Sequence, residues 1–247
     1  DPDRRFSVEN PGSQLVGRLS RLVFEHFGGA ALEDAAAILA TAEEYVSFIV
    51  LLAGLGQRGE DVIYAQTELI HKTQGTHVDV SRHTIALAKK VNAIVKTETD
   101  EKRIEQRINE EIAAYDRTLS DLQKQLFEPA AGAIKASIPI YKTAWYRYFI
   151  TFDPLPVLKN VKVPVLALNG ELDLQVPAKE NLDLIAAGLK AGGNADVTTK
   201  AFPKLNHLFQ TSQTGLISEY AKIEETMSPE VLKTMSDWIL GKTVQKG

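Results

Sequence analysis

Apolar and polar positions divide the chain into four zones. Residues 1–45 combine a polar opening with an Ala-rich run, GGAALEDAAAILATAEE, whose composition predicts a helix. SFIVLLAG, Ser47 to Gly54, is a short unbroken apolar run closed by glycine, as expected of a strand buried on both faces in a parallel sheet. From about 58 to 150 the apolar period lengthens to that of helices and charge becomes dense. Asp79 or Ser81 can cap a segment in which Ile85, Ala86, Leu87, Val91, Ile94 and Val95 recur at helical spacing. A second long segment, EKRIEQRINEEIAAYDRTLSDLQKQLF, places Ile104, Ile108, Ile112, Leu119 and Leu122 on one stripe. Its charges read as a solvated outer face, the alternative being a coiled partner surface for which the stripe is short. Aromatic residues then gather in AWYRYFITFDP, Ala144 to Pro154.

The last zone returns to alternation. VKVPVLALNG reads as a strand ending in Asn-Gly. PAKENLDLIAAGLKAGG reads as an amphipathic helix stopped by glycines, with Leu182, Ile185, Ala186 and Leu189 inward. DVTTKAFP is a β-rich run. MSPEVLKTMSDWIL predicts a closing helix capped by Ser228, with Pro229 in its first turn and Val231, Leu232, Met235, Trp238 and Ile239 on its apolar face. Strand, helix, strand, helix is an α/β arrangement. No internal repeat is present.

Composition changes this picture little. A hydrophobic fraction of 44% and a charged fraction of 24% in 247 residues are ordinary for a globular protein of one large or two small domains. A formal net charge of −4 gives no general attraction to nucleic acid or to an anionic membrane, and no stretch reaches the roughly 18 apolar residues of a membrane helix. The absence of cysteine excludes disulfides, thiolate catalysis and cysteine-bound zinc, and it is compatible with either redox climate. No P-loop or dinucleotide fingerprint is found, so neither a cofactor nor a metal is called for.

The candidate chemistry lies where two strands end. In open α/β sheets, ligands bind at the carboxyl ends of the strands. Glu171 and Asp173 follow VPVLALNG directly, and an acid after Asn-Gly is usually turn chemistry. AFPKLNHLF, after the next strand, carries His207. The residues between Asp173 and His207 are enough for one helix and one strand, so adjacent parallel strands would bring their two loops together. An Asp that accepts the Nδ1 proton of a general-base His needs such a meeting.

From Ser47 onward the sequence resembles an α/β-hydrolase, specifically the bacterial esterase and acyl-peptidase-like group with a helical cap. The resemblance rests on SFIVLLAG, on the helical stretch 58–150, on FDPLPVLKNVKVPVLALNGELDLQVPAKEN and on AFPKLNHLFQ. It implies a partial α/β-hydrolase sheet with an inserted all-helical cap. Residues 1–57 would be an N-terminal part of the core, 58–150 the cap and 151–247 the C-terminal core. It further implies hydrolysis of a small ester or acyl substrate through a serine acyl-enzyme, with Asp173 as triad acid and His207 as base. WYRYF would line the seam between cap and sheet and could form an acyl pocket.

The family's nucleophile stands in a G-x-S-x-G elbow ahead of this region. The nearest trace is FEHFGGAALEDAAA, Phe24 to Ala37, in which Glu25 replaces a glycine and Phe27 stands where the serine belongs. Ser13 in NPGSQLVG reads as a polar turn and Ser20 in RLSRLV as a helix face. Ser47 opens a strand at its wrong end. The nucleophile is therefore unassigned, and the chain is expected to begin mid-domain. A catalytically inactive binding module and an aminopeptidase-like activity on short peptides stay open as alternatives. Strands stripped of neighbours leave a bare edge, so poor solubility or self-association is expected unless residues 1–45 cover it. His71, His77 and His83 lack the i, i+4 spacing of a helical metal pair and read as surface or packing residues, and Glu180 as a solvated helix residue.

Overall fold

The computed structural model describes residues 46–244. β1 (Ile49–Leu52) is followed by a helical insertion: α1 (Gly59–Thr73), α2 (Val78–Thr97), α3 (Glu101–Asp116), α4 (Asp121–Ala136), α5 (Ile138–Tyr141) and α6 (Ala144–Thr151). The short α7 (Pro154–Leu158) leads into β2 (Val165–Gly170). Then come α8 (Ala178–Ala191), β3 (Val197–Phe202), α9 (Ile217–Tyr220) and α10 (Pro229–Val244). The fold is α/β: a small parallel sheet joined to a large helical part.

The strands pair in the order β1-β2-β3, all parallel. Ile49 lies beside Val165 and Val165 beside Val197, so all three strands deliver their carboxyl ends to one side. Every residue of β2 is buried, which accounts for its unbroken apolar run. Alternation of side chains sends Ile49, Leu51, Val165 and Ala167 to one face, under Leu182, Ile185 and Leu189 of α8. Leu166, Leu168 and Phe202 point the other way and pack with Val231, Met235 and Trp238 of α10. Among the described residues β1 and β3 each pair only with β2. The VPVLALNG strand is thus central, and the unpaired edges belong to its neighbours.

The helical insertion leaves and rejoins the sheet at one seam. The Gly59 amide donates to the Phe152 carbonyl at 3.2 Å, and Arg58 pairs with Asp153 at 3.2 Å. A side chain at Gly59 would stand 1.9 Å from the Phe149 carbonyl oxygen, so glycine lets the outgoing and returning chains touch. Leu55, Val62, Phe152 and Val176 fill the seam, with Tyr148 and Phe149 against them.

Several local expectations are corrected here. Neither Asp79 nor Ser81 caps α2. The helix starts one residue before Asp79, and His77 is its N-cap, with Nδ1 accepting from the Asp79 amide at 3.2 Å. The long charged segment is two helices rather than one. Ser120 and Gln123 form a reciprocal capping box that starts α4 afresh. The restart shifts the phase of the apolar stripe. Ile104, Ile108 and Leu119 stay buried, whereas Leu122 is 66% exposed and Phe127 and Ile134 face the core instead. The WYRYF cluster is also divided. Trp145 and Tyr146 pack inside the helical core, and the Tyr146 hydroxyl donates to buried Asn92 Oδ1 at 2.7 Å. Asn92 Nδ2 in turn donates to the Tyr64 hydroxyl, whose phenol is pushed up to about 12, chiefly by burial. Arg147 donates to the Val95 and Glu98 carbonyls at the end of α2. The seam receives only Tyr148 and Phe149 from the cluster.

The three histidines sit in the helical part. His83 Nδ1 lies 2.9 Å from the Tyr115 hydroxyl, and burial lowers the pKa of half-buried His71. Among the described residues no helix is long and apolar enough to cross a membrane.

Candidate active site

The site grows from the end of β2. Asn169 bridges the turn beyond it, donating from Nδ2 to the Val176 carbonyl at 3.0 Å and accepting the Gly170 amide at 2.7 Å. Within that turn the Asp173 amide donates to the Gly170 carbonyl, and Asp173 Oδ1 accepts the amides of Gln175 and Val176, both at 2.8 Å. The second oxygen, Oδ2, stands 2.9 Å from His207 Nδ1. One carboxylate oxygen thus holds the turn while the other meets the histidine. The Asp173 side chain is fully buried, and its charge is met by these donors rather than by water. Glu171, by contrast, is exposed and takes part through its backbone amide, which donates to the Phe202 carbonyl.

His207 is held by a tight loop after β3. Buried Asn206 organises that loop: its Oδ1 accepts the amides of Leu208 and Gln210, and its Nδ2 donates to Gln210 Oε1 at 3.0 Å. The loop lies directly on the end of β2. A side chain at Gly170 would stand 2.2 Å from the Leu205 carbonyl oxygen, and the Leu172 amide donates to that same oxygen at 2.9 Å. The imidazole is about four-fifths buried, with 18% of its side chain exposed. A carboxylate at Nδ1 selects the tautomer with its proton there. That leaves Nε2 a lone pair with which to take a proton from a hydroxyl. Beside it a cleft of about 500 Å³ opens between Leu52 at the end of β1 and Gln210, Glu224 and Met227.

Asp173 and His207 are thus brought together as expected from two loops of adjacent strands. Of the candidate serines, Ser47 does not join them. Ser47 is exposed and precedes β1, at the opposite end of the sheet from Asp173. Ser13, Ser20 and the FEHFGGAALEDAAA stretch lie outside the described residues. Ser212 spends its hydroxyl on the loop, donating to Glu219 and accepting the Gly215 amide at 2.9 Å. Among the described residues no three His, Asp or Glu side chains gather where one ion could hold them. Asn206, Gln175 and Tyr220 are supporting residues that the pattern reading missed. Of these, Asn206 alone carried a signal, as a small amide beside the histidine in LNHLF.

Comparison with known families bears on this geometry. Residues 111–227 match the prolyl oligopeptidase family, which has the α/β-hydrolase fold, and the matched stretch contains both Asp173 and His207. The match, over a little under half of the chain, supports a relationship to the α/β-hydrolase serine hydrolases. Curated proteins give no match. Among solved structures, the crystal structure of a mutant of esterase E22 is similar at 16% identity and a TM-score of 0.37, over 83% of this chain and 63% of that one. Such a likeness carries no structural argument, and the chain spans less than two thirds of that protein's length. The relationship nonetheless agrees with the parallel sheet and with a carboxylate–imidazole pair at the carboxyl ends of its strands.

Proposed function

We propose that the protein is a serine-type hydrolase of small or medium acyl esters, in which Asp173 orients His207 and His207 is the general base. The observation that carries this reading is the 2.9 Å contact between His207 Nδ1 and a fully buried Asp173 whose other oxygen is fixed by two backbone amides. In the reaction, His207 Nε2 takes the proton of a serine hydroxyl as its oxygen attacks the acyl carbon. The tetrahedral adduct collapses, and the alcohol leaves with the proton from His207. Water then repeats the cycle on the acyl-enzyme, giving the free acid and restoring the serine. Asp173 keeps its charge throughout and stabilises the imidazolium. By the resemblance, residues 58–150 are the cap; the cleft beside His207 is itself lined by Leu52, Gln210, Glu224 and Met227.

Two other readings have an observation in their favour. Phe27, where the resemblance places the nucleophile, favours an inactive, hydrolase-derived binding module. The match to a peptidase family favours short peptides over esters. One experiment separates all three: label the purified chain with a fluorophosphonate, map the modified peptide, and assay p-nitrophenyl acyl esters alongside aminoacyl coumarin amides. A single-serine adduct and ester turnover, both lost in His207→Ala, is the expected result. Turnover of the amides alone would move the substrate class to peptides. No adduct on a folded chain would refute catalysis by this chain.

A further inference from the structure

Segment 211–220 ties the Asp173 turn to the His207 loop. At its start, Leu205 and Thr211 form an antiparallel bridge, and the Ser212 amide donates to the Lys204 carbonyl at 2.9 Å, closing the loop that displays His207. In its middle, Gly215 has φ +80° and lies flat on the Asp173 turn; a side chain there would stand 2.0 Å from the Leu172 carbonyl oxygen. The Glu219 carboxylate then gathers the segment, accepting from the Ser212 and Thr214 hydroxyls and from the amides of Gln213 and Thr214. Tyr220 follows directly, and its hydroxyl oxygen accepts from Gln175 Nε2 at 3.0 Å. Gln175 is the residue whose backbone amide donates to Asp173 Oδ1.

We infer that Tyr220 is a positioning residue for the Asp173–His207 pair, its phenol pinning the Asp173 turn through Gln175 while its own segment is anchored to the His207 loop. The inference rests on the acid–base reading of that pair. Two observations support it beyond the contact itself. Burial, and then the charge of Asp173, raise the phenol's pKa, whereas Gln175 and the His207 backbone act in the opposite direction, so the hydroxyl lies within the field of both site residues. Four hydrogen bonds to the Glu219 carboxylate tie residues 212–214 to the residue immediately before Tyr220. Without the phenol oxygen, Gln175 would lose its side-chain tether, and the turn bearing Asp173 would be held by its own bonds, by Asn169 and by the Leu172–Leu205 bond. The contact most exposed to that loosening is Nδ1 to Oδ2, because it crosses from one loop to the other.

The test is proton NMR of the downfield region, where a His Nδ1 proton bonded to a carboxylate resonates, combined with thermal unfolding. The unmodified chain should show this resonance, and Asp173→Asn should abolish it. Tyr220→Phe keeps the ring and removes only the oxygen. Exchange of the His207 Nδ1 proton with water should become about five- to tenfold faster, the effect of losing one hydrogen bond of ordinary strength, with Tm changed by only a few degrees. Gln175→Ala should speed exchange in the same direction, and the double variant should be no faster than Tyr220→Phe alone, because Gln175 acts through the phenol. An unchanged resonance and exchange rate in both single variants overturns the positioning role while leaving the pair intact. Absence of the resonance from the unmodified chain, or its survival in Asp173→Asn, overturns the acid–base reading and this inference with it.

Discussion

Gly170 is the position where fold and site meet most closely, and Gly170→Ala exposes the link between them. An added methyl would stand 2.2 Å from the Leu205 carbonyl oxygen and 2.7 Å from that of Asn206, where ordinary contact begins at 3.4 Å. Both obstacles are backbone, so no side-chain rotation relieves them. The loop carrying His207 must lift off β2 by about 1 Å, as overpacked interiors do. Lifting breaks the Leu172–Leu205 hydrogen bond of 2.9 Å. Overpacking with one lost hydrogen bond costs about 3 kcal/mol, which lowers a urea midpoint by roughly 1.5 M. The same movement stretches the 2.9 Å contact between His207 and Asp173 past hydrogen-bonding range. Urea unfolding followed by circular dichroism gives the first quantity, and the downfield His207 proton reports the second. Gly132→Ala is the matched control. Gly132 lies inside α4 with nothing within 4 Å of an added side chain, and alanine there should stabilise by up to about 1 kcal/mol. A Gly170→Ala midpoint within about 0.3 M of the parent, with the downfield proton retained, would refute the crossing of loop over strand end on which the site depends.

Two further outcomes follow from charge and from the sheet edge. The Ser212 and Thr214 hydroxyls hold the Glu219 carboxyl at a pKa of about 2, below its ordinary 4.5. A depressed folded-state value means that the stabilisation is complete above pH 4.5 and disappears as pH falls from there to about 2. Glu219→Gln should therefore lower Tm at pH 7 and flatten its fall between pH 5 and 3; equal slopes for the two proteins in a pH series would count against the Glu219 network. Ile49 and Ala53 direct their amides to β2, so those of Val50 and Leu52 face the outer edge of β1. If a second copy pairs along that edge, light scattering will show mass rising with concentration, and Val50→Pro, which removes one outward donor, will suppress the rise. A monomer at every concentration would mean that the edge is covered within the chain.

Much of the architecture was legible because it is written locally. SFIVLLAG and VPVLALNG announce buried strands by their unbroken apolar runs, and β1 and β2 lie within them. The alternation of strand and helix was enough to place Asp173 and His207 on neighbouring parallel strands, which is why their meeting could be anticipated. The SDLQ capping box was equally visible, yet it was absorbed into one long periodic segment, so the restart of α4 and the outward turn of Leu122 went unread. What a residue's sequence neighbours dictate, through period and capping, can be read from the chain alone. Which of Asp173's two oxygens holds the turn and which holds His207, the division of WYRYF between helical core and seam, and the role of segment 211–220 are decided otherwise. They depend on chains distant in sequence coming within van der Waals reach, at Gly59, Gly170 and Gly215, where excluded volume leaves one way to pass. A glycine in a sequence says only that the backbone is free there; the tertiary structure supplies the opposing carbonyl that makes it obligatory.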